Sequence, residues 1–305
     1  MSSTQQVLAV GPPQRVEGPW RPPGYRHLHG SDFTWTIAFV VPYAVMFVAF
    51  AVYPMGYALW MGSNPSLYAE LIDNPAYVPT VVNTLLFAGL GVNVMMFLAL
   101  LLSGFFMRRR WWIKALLVIY ILPWAVPAVQ TGVSFHWILI GEMGLVNRLL
   151  EELFGIVGPL WFTNRWLGIG SNIVAYIWTW MPFWTLIFLA GRMAIPRSVY
   201  DAAEIDGASG TRRFIHVTFP LLANLYLVCT LLSTLWALGD FVTVLLVSIG
   251  GPAHTTETLA MFGFRYAYEY AAPPLAIAAL MSALPVLIPI TIILIRRLQT
   301  REVQL

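Results

Sequence analysis

Long apolar runs constrain this chain more than any other feature of its sequence. A helix rises about 1.5 Å per residue, so crossing a hydrocarbon core about 30 Å thick takes roughly 20 consecutive apolar residues. Six runs of about that length occur, at 35–60, 81–107, 113–139, 169–193, 222–249 and 272–295. Charged residues make up only 10% of the chain, whereas soluble domains contain about a quarter. The sequence therefore predicts an all-α membrane protein with six transmembrane helices.

The placement of basic residues predicts how these helices are oriented. Fourteen of the 17 Lys and Arg residues fall in the two tails and in the second and fourth loops. The first, third and fifth loops carry only Arg148, Arg165 and Arg265. Because basic loops stay on the cytoplasmic side, we expect both termini to be cytoplasmic. The chain then divides into an N-terminal tail, a six-span domain and a C-terminal tail, at 1–34, 35–296 and 297–305.

The stretch 1–32 is rich in Pro and Gly and lacks the basic-then-apolar order of a cleaved signal sequence. We expect it to be disordered and retained.

Motifs for covalent chemistry are absent from the sequence. No G-x-x-x-x-G-K-[ST] loop precedes Lys114, the single lysine, and the five histidines form no H-E-x-x-H or paired-carboxylate arrangement. The single cysteine, Cys229, lies within the fifth apolar run and reads as a small buried apolar residue. We therefore expect no catalytic residue, metal site or cofactor in this chain. If the chain is part of a pump, its ATPase is another subunit.

The segment 194–221 is the longest cytoplasmic loop in this topology, and it reads as structured. Pro196 suits the first turn of a helix and Gly207 suits the left-handed position past its end, which predicts a short helix between them. Ser209 can cap a second helix that stops at Pro220. The segment is thus a cytoplasmic helix-turn-helix. Local physics alone fits an amphipathic hairpin resting on the bilayer equally well.

This loop resembles the signature loop of the permease subunits of ABC importers, E-A-A-x-x-x-G followed about ten positions later by Leu-Pro. Here 201–208 read DAAEIDGA and 214–220 read FIHVTFP. The resemblance implies a coupling helix that docks in a groove of an ATPase subunit. The coupling residues that it implies are Asp201, Ala202, Ala203, Glu204, Asp206, Gly207, Phe214 and Pro220. Since Asp201 is one methylene shorter than the family's Glu, the contact with the ATPase belongs to Asp201 or Glu204.

Four more segments carry the resemblance across residues 34–297. They are YPMGYALW at 53–60, NTL at 83–85, GGPA at 250–253 and TETL at 256–259. They are similar to the subfamily that imports sugars, polyols and glycerol-phosphate compounds, and within it to the first permease of the usual pair.

The resemblance implies a multi-pass permease in a bacterial inner membrane, surrounded by lipid and binding no nucleic acid. Its implied partners are a second permease, a cytoplasmic ATPase dimer that binds ATP and Mg, a periplasmic or lipid-anchored substrate-binding protein, and a carbohydrate substrate. The alternative is a subunit of a channel or gradient-driven carrier. Such a protein needs ionisable residues at mid-span, and Asp240 and His136 are almost the only ones here.

Polar and aromatic side chains recur at three- and four-residue steps in the fourth and fifth runs, so each set lies on one helix face. Sugars combine apolar CH faces with hydroxyls, and an aromatic wall with sparse polar groups suits them. The predicted pathway residues are Tyr176, Trp180, Trp184, Ser233, Trp236 and Asp240. The tryptophans are alternatively packing or interface residues. Asp240 alternatively lies among lipid headgroups or pairs with Arg265.

Overall fold

The computed structural model describes residues 31–108 and 110–302. Most of these residues are helical, and the described part of the chain contains no β-strand. Two compact units are present, one ending at Gly56 and the other beginning at Tyr57. The predicted disorder of the N-terminal tail concerns residues that lie almost wholly outside the described ones. The last two residues of the stretch 1–32, Ser31 and Asp32, already belong to the first helix, so the predicted disorder is wrong for them.

Sixteen α-helices occur among the described residues. They are α1 Ser31–Phe47, α2 Tyr53–Met61, α3 Pro65–Asp73, α4 Tyr77–Leu85, α5 Val92–Phe106, α6 Trp111–Ala125, α7 Ala128–Leu139, α8 Leu145–Phe154, α9 Arg165–Ala194, α10 Arg197–Ile205, α11 Gly210–Arg213, α12 Phe219–Gly239, α13 Val242–Val247, α14 Leu259–Tyr268, α15 Pro273–Met281 and α16 Leu284–Glu302. A short 3₁₀ turn, Gly141–Met143, precedes α8. Three π-helical segments join successive α-helices into longer ones, at Val48–Val52, Leu86–Gly91 and Phe214–Thr218.

Four continuous helices in the described part are long and apolar enough to cross a membrane: Thr34–Met61, Tyr77–Phe106, Arg165–Ala194 and Gly210–Gly239. Helices α6 and α7 together form a fifth candidate, but they meet at an angle of 96°. The predicted sixth run is divided between α15 and α16. The structure thus confirms an all-helical protein with several apolar helices, whereas the count of six spans stays a prediction.

The main core of the second unit forms where α5 packs on α9 and α12. Its buried side chains include Val92, Met95, Tyr176, Phe188 and Leu222. Small residues let the helices approach: a methyl group added to Gly91 would lie 3.3 Å from Ile173. Membrane helices commonly associate through such small residues.

A second cluster joins α3, α14 and α15. It is built from Leu71, Phe262, Leu275 and two buried alanines of α15. Its neighbour Gly62 approaches α15 closely, since an added methyl group would lie 2.7 Å from Ile277.

Candidate functional site

An aromatic cavity lies between α9 and α12. Trp180 of α9 lies 5.3 Å from Trp236 of α12, and Trp184 lies 5.4 Å from the same ring, measured between ring centroids. The cavity has a volume of about 230 Å³. Its lining consists of Ala128, Tyr176, Trp180, Trp236, Gly239, Asp240, Phe241 and Val242. Four of the six predicted pathway residues therefore line one cavity.

The other two predicted residues are buried against its walls. Trp184 packs against Trp236, and Ser233 lies within reach of Tyr176, whose hydroxyl donates to the Ser233 carbonyl at 3.4 Å. The Ser233 hydroxyl and the Trp184 indole nitrogen are both buried and have no hydrogen-bond partner among the described residues. Buried polar groups are usually hydrogen-bonded, so these two atoms are available to a partner that the described residues do not supply.

Asp240 lines the cavity at the C-terminal end of α12. Its carboxylate accepts hydrogen bonds from the Thr243 amide at 3.0 Å and from the Thr243 hydroxyl at 2.6 Å, which ties it to the first turn of α13. The alternative pairing of Asp240 with Arg265 is wrong, because Arg265 pairs with Glu257 and Glu269 instead.

The first helix of the coupling loop, α10, ends as its sequence predicted. Gly207 has φ +74°, in the left-handed region that glycine adopts without strain. The Ala208 amide donates to the Ala203 carbonyl at 2.8 Å and the Gly207 amide to the Glu204 carbonyl at 3.0 Å. These two bonds form a Schellman motif. At the other end, Pro196 directly precedes the helix.

The second helix of this loop does not stop at Pro220, and that prediction was wrong. Residues Gly210–Gly239 form one continuous helix. The π-helical turn Phe214–Thr218 lies immediately before Pro220, and within it the Phe219 amide bonds the Phe214 carbonyl. Since this turn interrupts the i to i−4 bonding pattern, it accommodates the missing N–H of proline. Ser209 occupies the N-cap position, but its side chain makes no capping hydrogen bond.

The predicted coupling residues differ in exposure. Asp201, Ala202, Glu204 and Asp206 are exposed and Ala203 is buried. Phe214 is half-buried and lies under the Arg192 guanidinium, 5.4 Å from ring centroid to Cζ. Helix α10 therefore offers an acidic outer face, while Phe214 contacts the end of α9.

A buried polar network elsewhere in the second unit brings together two of the resembling segments. The Asn83 side-chain amide donates to the carbonyls of Thr255 at 2.7 Å and Glu257 at 2.8 Å, and Arg165 donates to Asn83 Oδ1 at 2.9 Å. The Thr84 hydroxyl accepts from the Leu259 amide at 2.8 Å. Both segments carry the family resemblance in the sequence, but their contact was not predicted from it.

An ion pair between Arg265 and Glu257 lies within this network, and both side chains are almost fully buried. His254 Nδ1 lies 2.9 Å from Glu257 Oε1. Burial and the nearby Arg265 lower the pKa of His254 below its ordinary value, so the histidine is neutral at pH 7.

Arg192 was counted in the sequence as a loop charge, but the structure buries it. It is 7% exposed, and it donates from Nε to the Ser103 hydroxyl at 2.7 Å and from a terminal nitrogen to the Leu100 carbonyl at 2.9 Å. The guanidinium also lies beside Gly104, where an added methyl group would be in ordinary contact with it at 3.5 Å. The sequence did not predict this contact. It forms because the ends of α5 and α9 meet and bring Ser103 and Gly104 next to Arg192.

Residues 95–301 match the family model of the binding-protein-dependent transport system inner membrane component. The chain is 31% identical to the sulfoquinovosyl glycerol transport system permease protein SmoG of Agrobacterium fabrum, over 81% of this chain and 85% of that protein. It is 28% identical to the sn-glycerol-3-phosphate transport system permease protein UgpA of Pectobacterium atrosepticum, over 72% of this chain and 79% of that protein.

Among solved structures, a bacterial ABC transporter that imports the acidic polysaccharide alginate has a chain of the same fold. Its TM-score is 0.75 at 20% identity, covering 88% of this chain and 96% of that one. The fold, the apolar helices and the matched family define a transporter permease rather than an enzyme. This chain belongs to the family of inner-membrane components of binding-protein-dependent transport systems.

Proposed function

We propose that this chain forms half of the translocation pathway of an ATP-driven importer for a carbohydrate or a related polyol. The aromatic cavity between α9 and α12 carries this proposal. Its volume of about 230 Å³ is below the roughly 300 Å³ at which ligand pockets usually begin. A cavity of this size suits one half of a site that a second permease subunit completes.

The chemistry of the cavity supports a carbohydrate. Trp180 and Trp236 offer aromatic faces for CH groups, and Tyr176 and Asp240 add sparse polar groups to the lining. The named substrates of the two similar transporters, sulfoquinovosyl glycerol and alginate, favour the same class. A substrate hydroxyl that reached the buried Ser233 oxygen would satisfy a group that otherwise has no partner.

In this proposal, α10 is the helix that couples transport to ATP hydrolysis. The exposed carboxylates of Asp201 and Glu204 are suited to a basic residue on an ATPase dimer, which would hold ATP and Mg. Ile205 is 88% exposed beside them, which adds an apolar contact. Only Ile195 and Pro196 separate α10 from α9, so displacement of α10 would be passed to the helix that carries Trp180.

The remaining assignments follow from the charge pattern and the family. We expect six spans with both termini in the cytoplasm, because the basic residues are concentrated in alternate segments. The substrate-binding protein would then dock on the opposite side, where a periplasmic or lipid-anchored protein is found. ATP turnover is expected only when the ATPase subunits are present.

The test is substrate uptake by the full complex in proteoliposomes, with ATP inside and the loaded binding protein outside. Trp236→Ala and Trp180→Ala should each lower uptake about tenfold, which corresponds to ~1.4 kcal/mol of lost stacking. Trp178→Ala is the matched control, since Trp178 is on α9 but packs on Phe135 away from the cavity. Uptake that proceeds without ATP would favour a carrier, and equal rates in all three variants would remove the cavity from the pathway.

A further inference from the structure

A cluster of cationic side chains surrounds two adjoining cavities where α5, α6 and α9 meet the coupling loop. The larger cavity has a volume of about 540 Å³ and the smaller about 380 Å³. Their basic and phenolic lining residues are Arg108, Lys114, Arg192, Arg197, Tyr200 and Arg213. No Asp or Glu of the described residues lines either cavity.

These cations have no negative partner within the described part of the chain. The two ion pairs found there both involve Arg265 and lie within residues 257–269. Arg192 is the most constrained, because it is only 7% exposed and its second terminal nitrogen makes no hydrogen bond to a described residue. Arginine is rarely buried without a partner, because a buried unpaired charge is destabilising. An anion in this cavity would supply the missing charge.

The surroundings favour a lipid anion over a soluble one. Phe106, Leu117 and Leu189 add apolar walls to the larger cavity. Trp111 and Trp112 begin α6 just before Lys114 and are exposed, as is typical of residues at a membrane interface. Basic pockets between helix ends on the cytoplasmic side suit phosphate headgroups, and arginine binds phosphate oxygens in a bidentate manner.

We propose that these cavities bind the phosphate headgroup of an anionic phospholipid. In the larger cavity the headgroup is offered Arg108, Lys114, Arg192 and Arg197. Arg213 lines the smaller cavity, together with Arg108 and Arg192, which line both. Arg197 is the first residue of α10, and Arg213 lies in the first turn of the long helix Gly210–Gly239. The lipid therefore joins the coupling loop to the helix bundle. Soluble inorganic phosphate carries the same charged group as the lipid headgroup, so the experiment must distinguish the two ligands.

Native mass spectrometry of the full-length chain in detergent tests this proposal. The protein is titrated with phosphatidylglycerol and, separately, with phosphatidylcholine, and the lipid-bound fractions are counted. The wild-type chain should retain phosphatidylglycerol in preference. Arg192→Gln and Lys114→Gln should each weaken that preference about fivefold, the amount expected for one charge near a headgroup. Lys114 is exposed, so its variant stays informative if the buried Arg192 variant folds poorly.

The matched control is Arg212→Gln. Arg212 neighbours Arg213 on the same helix, is exposed, and lines neither cavity, so its variant should bind as the wild type does. Equal retention of the two lipids, or equal loss in Arg212→Gln, would overturn the proposal.

Two further measurements distinguish the lipid from other negatively charged ligands. Inorganic phosphate at millimolar concentration should not displace the lipid, and displacement would mean a soluble anion site. If phosphatidylglycerol is not preferred, but Lys114→Gln lowers copurification of the ATPase subunits, the cavities take an acidic protein segment and the lipid proposal is wrong.

Discussion

Gly207 determines the angle between α10 and the helix that follows it. Its φ of +74° lies where a side chain with Cβ is strained, although nothing lies within 4 Å of an added methyl group. A larger side chain at position 207 would therefore strain the backbone, but a methyl group there would not clash with neighbouring atoms. The cost for a β-branched residue is about 1–2 kcal/mol.

Gly207→Val should consequently lower substrate uptake and substrate-stimulated ATPase activity together. Membrane abundance should stay near normal, because the long apolar helices are unchanged. Gly207→Asn is the matched control, since asparagine tolerates the left-handed region, and it should retain most activity. Uptake, ATPase stimulation and membrane level are measured side by side. Normal coupled transport by the valine variant would contradict a coupling role for this turn.

Two carboxylates, Glu257 and Glu269, contact the same arginine, Arg265, and they differ in burial. Glu257 is completely buried against Arg265, while the side chain of Glu269 is 52% exposed at 3.4 Å from the same guanidinium. Removing one partner of a buried ion pair costs about 3–5 kcal/mol, because the other charge stays buried and unpaired. Exposed pairs contribute about 1 kcal/mol or less.

Glu257→Gln should therefore lower the free energy of unfolding by several kcal/mol, and Glu269→Gln should change it little. Denaturant unfolding in detergent micelles, followed by helix content, measures both. Similar unfolding midpoints for the two variants would show that Glu257 does not hold this region together.

At the scale of helices, close approach of α7 and α13 depends on Gly132. A methyl group added there would lie 2.7 Å from Leu246 Cβ. That carbon is fixed to the backbone, so no rotamer change relieves the contact and the helices must separate. Overpacking of this kind costs about 1–3 kcal/mol.

Gly132→Ala should lower the melting temperature of the purified chain for this reason. Gly170→Ala is the matched substitution within another apolar helix, and nothing lies within 4 Å of its added methyl group. It should leave the melting temperature unchanged or slightly raised, because alanine favours helix over glycine. If both alanines behave alike, the contact between α7 and α13 is looser than the structure shows.

Helix positions were predictable from apolar length, but their breaks were less so. The run 169–193 corresponds to α9, because its uninterrupted apolar composition indicates both a helix and the approximate length of that helix. The run 113–139 is equally apolar, yet it bends sharply between Val126 and Pro127. Hydropathy alone does not reveal such a bend. Pro127 did indicate it, because the residue before a proline favours extended backbone over helix, as Val126 does here. The turn before Pro220 misled the prediction because π-helical bonding has no clear sequence pattern.

The candidate site was predictable to a similar degree. Helical spacing placed Tyr176, Trp180 and Trp236 on faces that the structure brings to one cavity. The contact of Asn83 with the Glu257 carbonyl joins residues 174 positions apart, and no local pattern encodes it. The burial of Arg192 likewise depends on which helix ends meet.

At the scale of the whole molecule, the orientation of the chain rests on the charge pattern. Fourteen of 17 basic residues lie in the segments predicted to be cytoplasmic. Three exposed positions report on this orientation: Ser66 in the first loop, Thr163 in the third and Ser209 in the fourth. The native thiol adds little background, because Cys229 is only 3% exposed.

Single cysteines at these positions should react differently with a membrane-impermeant maleimide. In intact spheroplasts, Ser66→Cys and Thr163→Cys should be labelled, whereas Ser209→Cys should be labelled only after the membrane is opened. The reason is that moving the 14 basic residues to the outer side would oppose the bias that retains Lys and Arg in the cytoplasm. The two outer sites lie on either side of the second and third predicted spans, so labelling of both also requires an even number of crossings between them. Labelling of Ser209→Cys alone in closed spheroplasts would invert the topology, and labelling of only one outer site would mean that the sharply bent pair α6 and α7 does not cross the membrane.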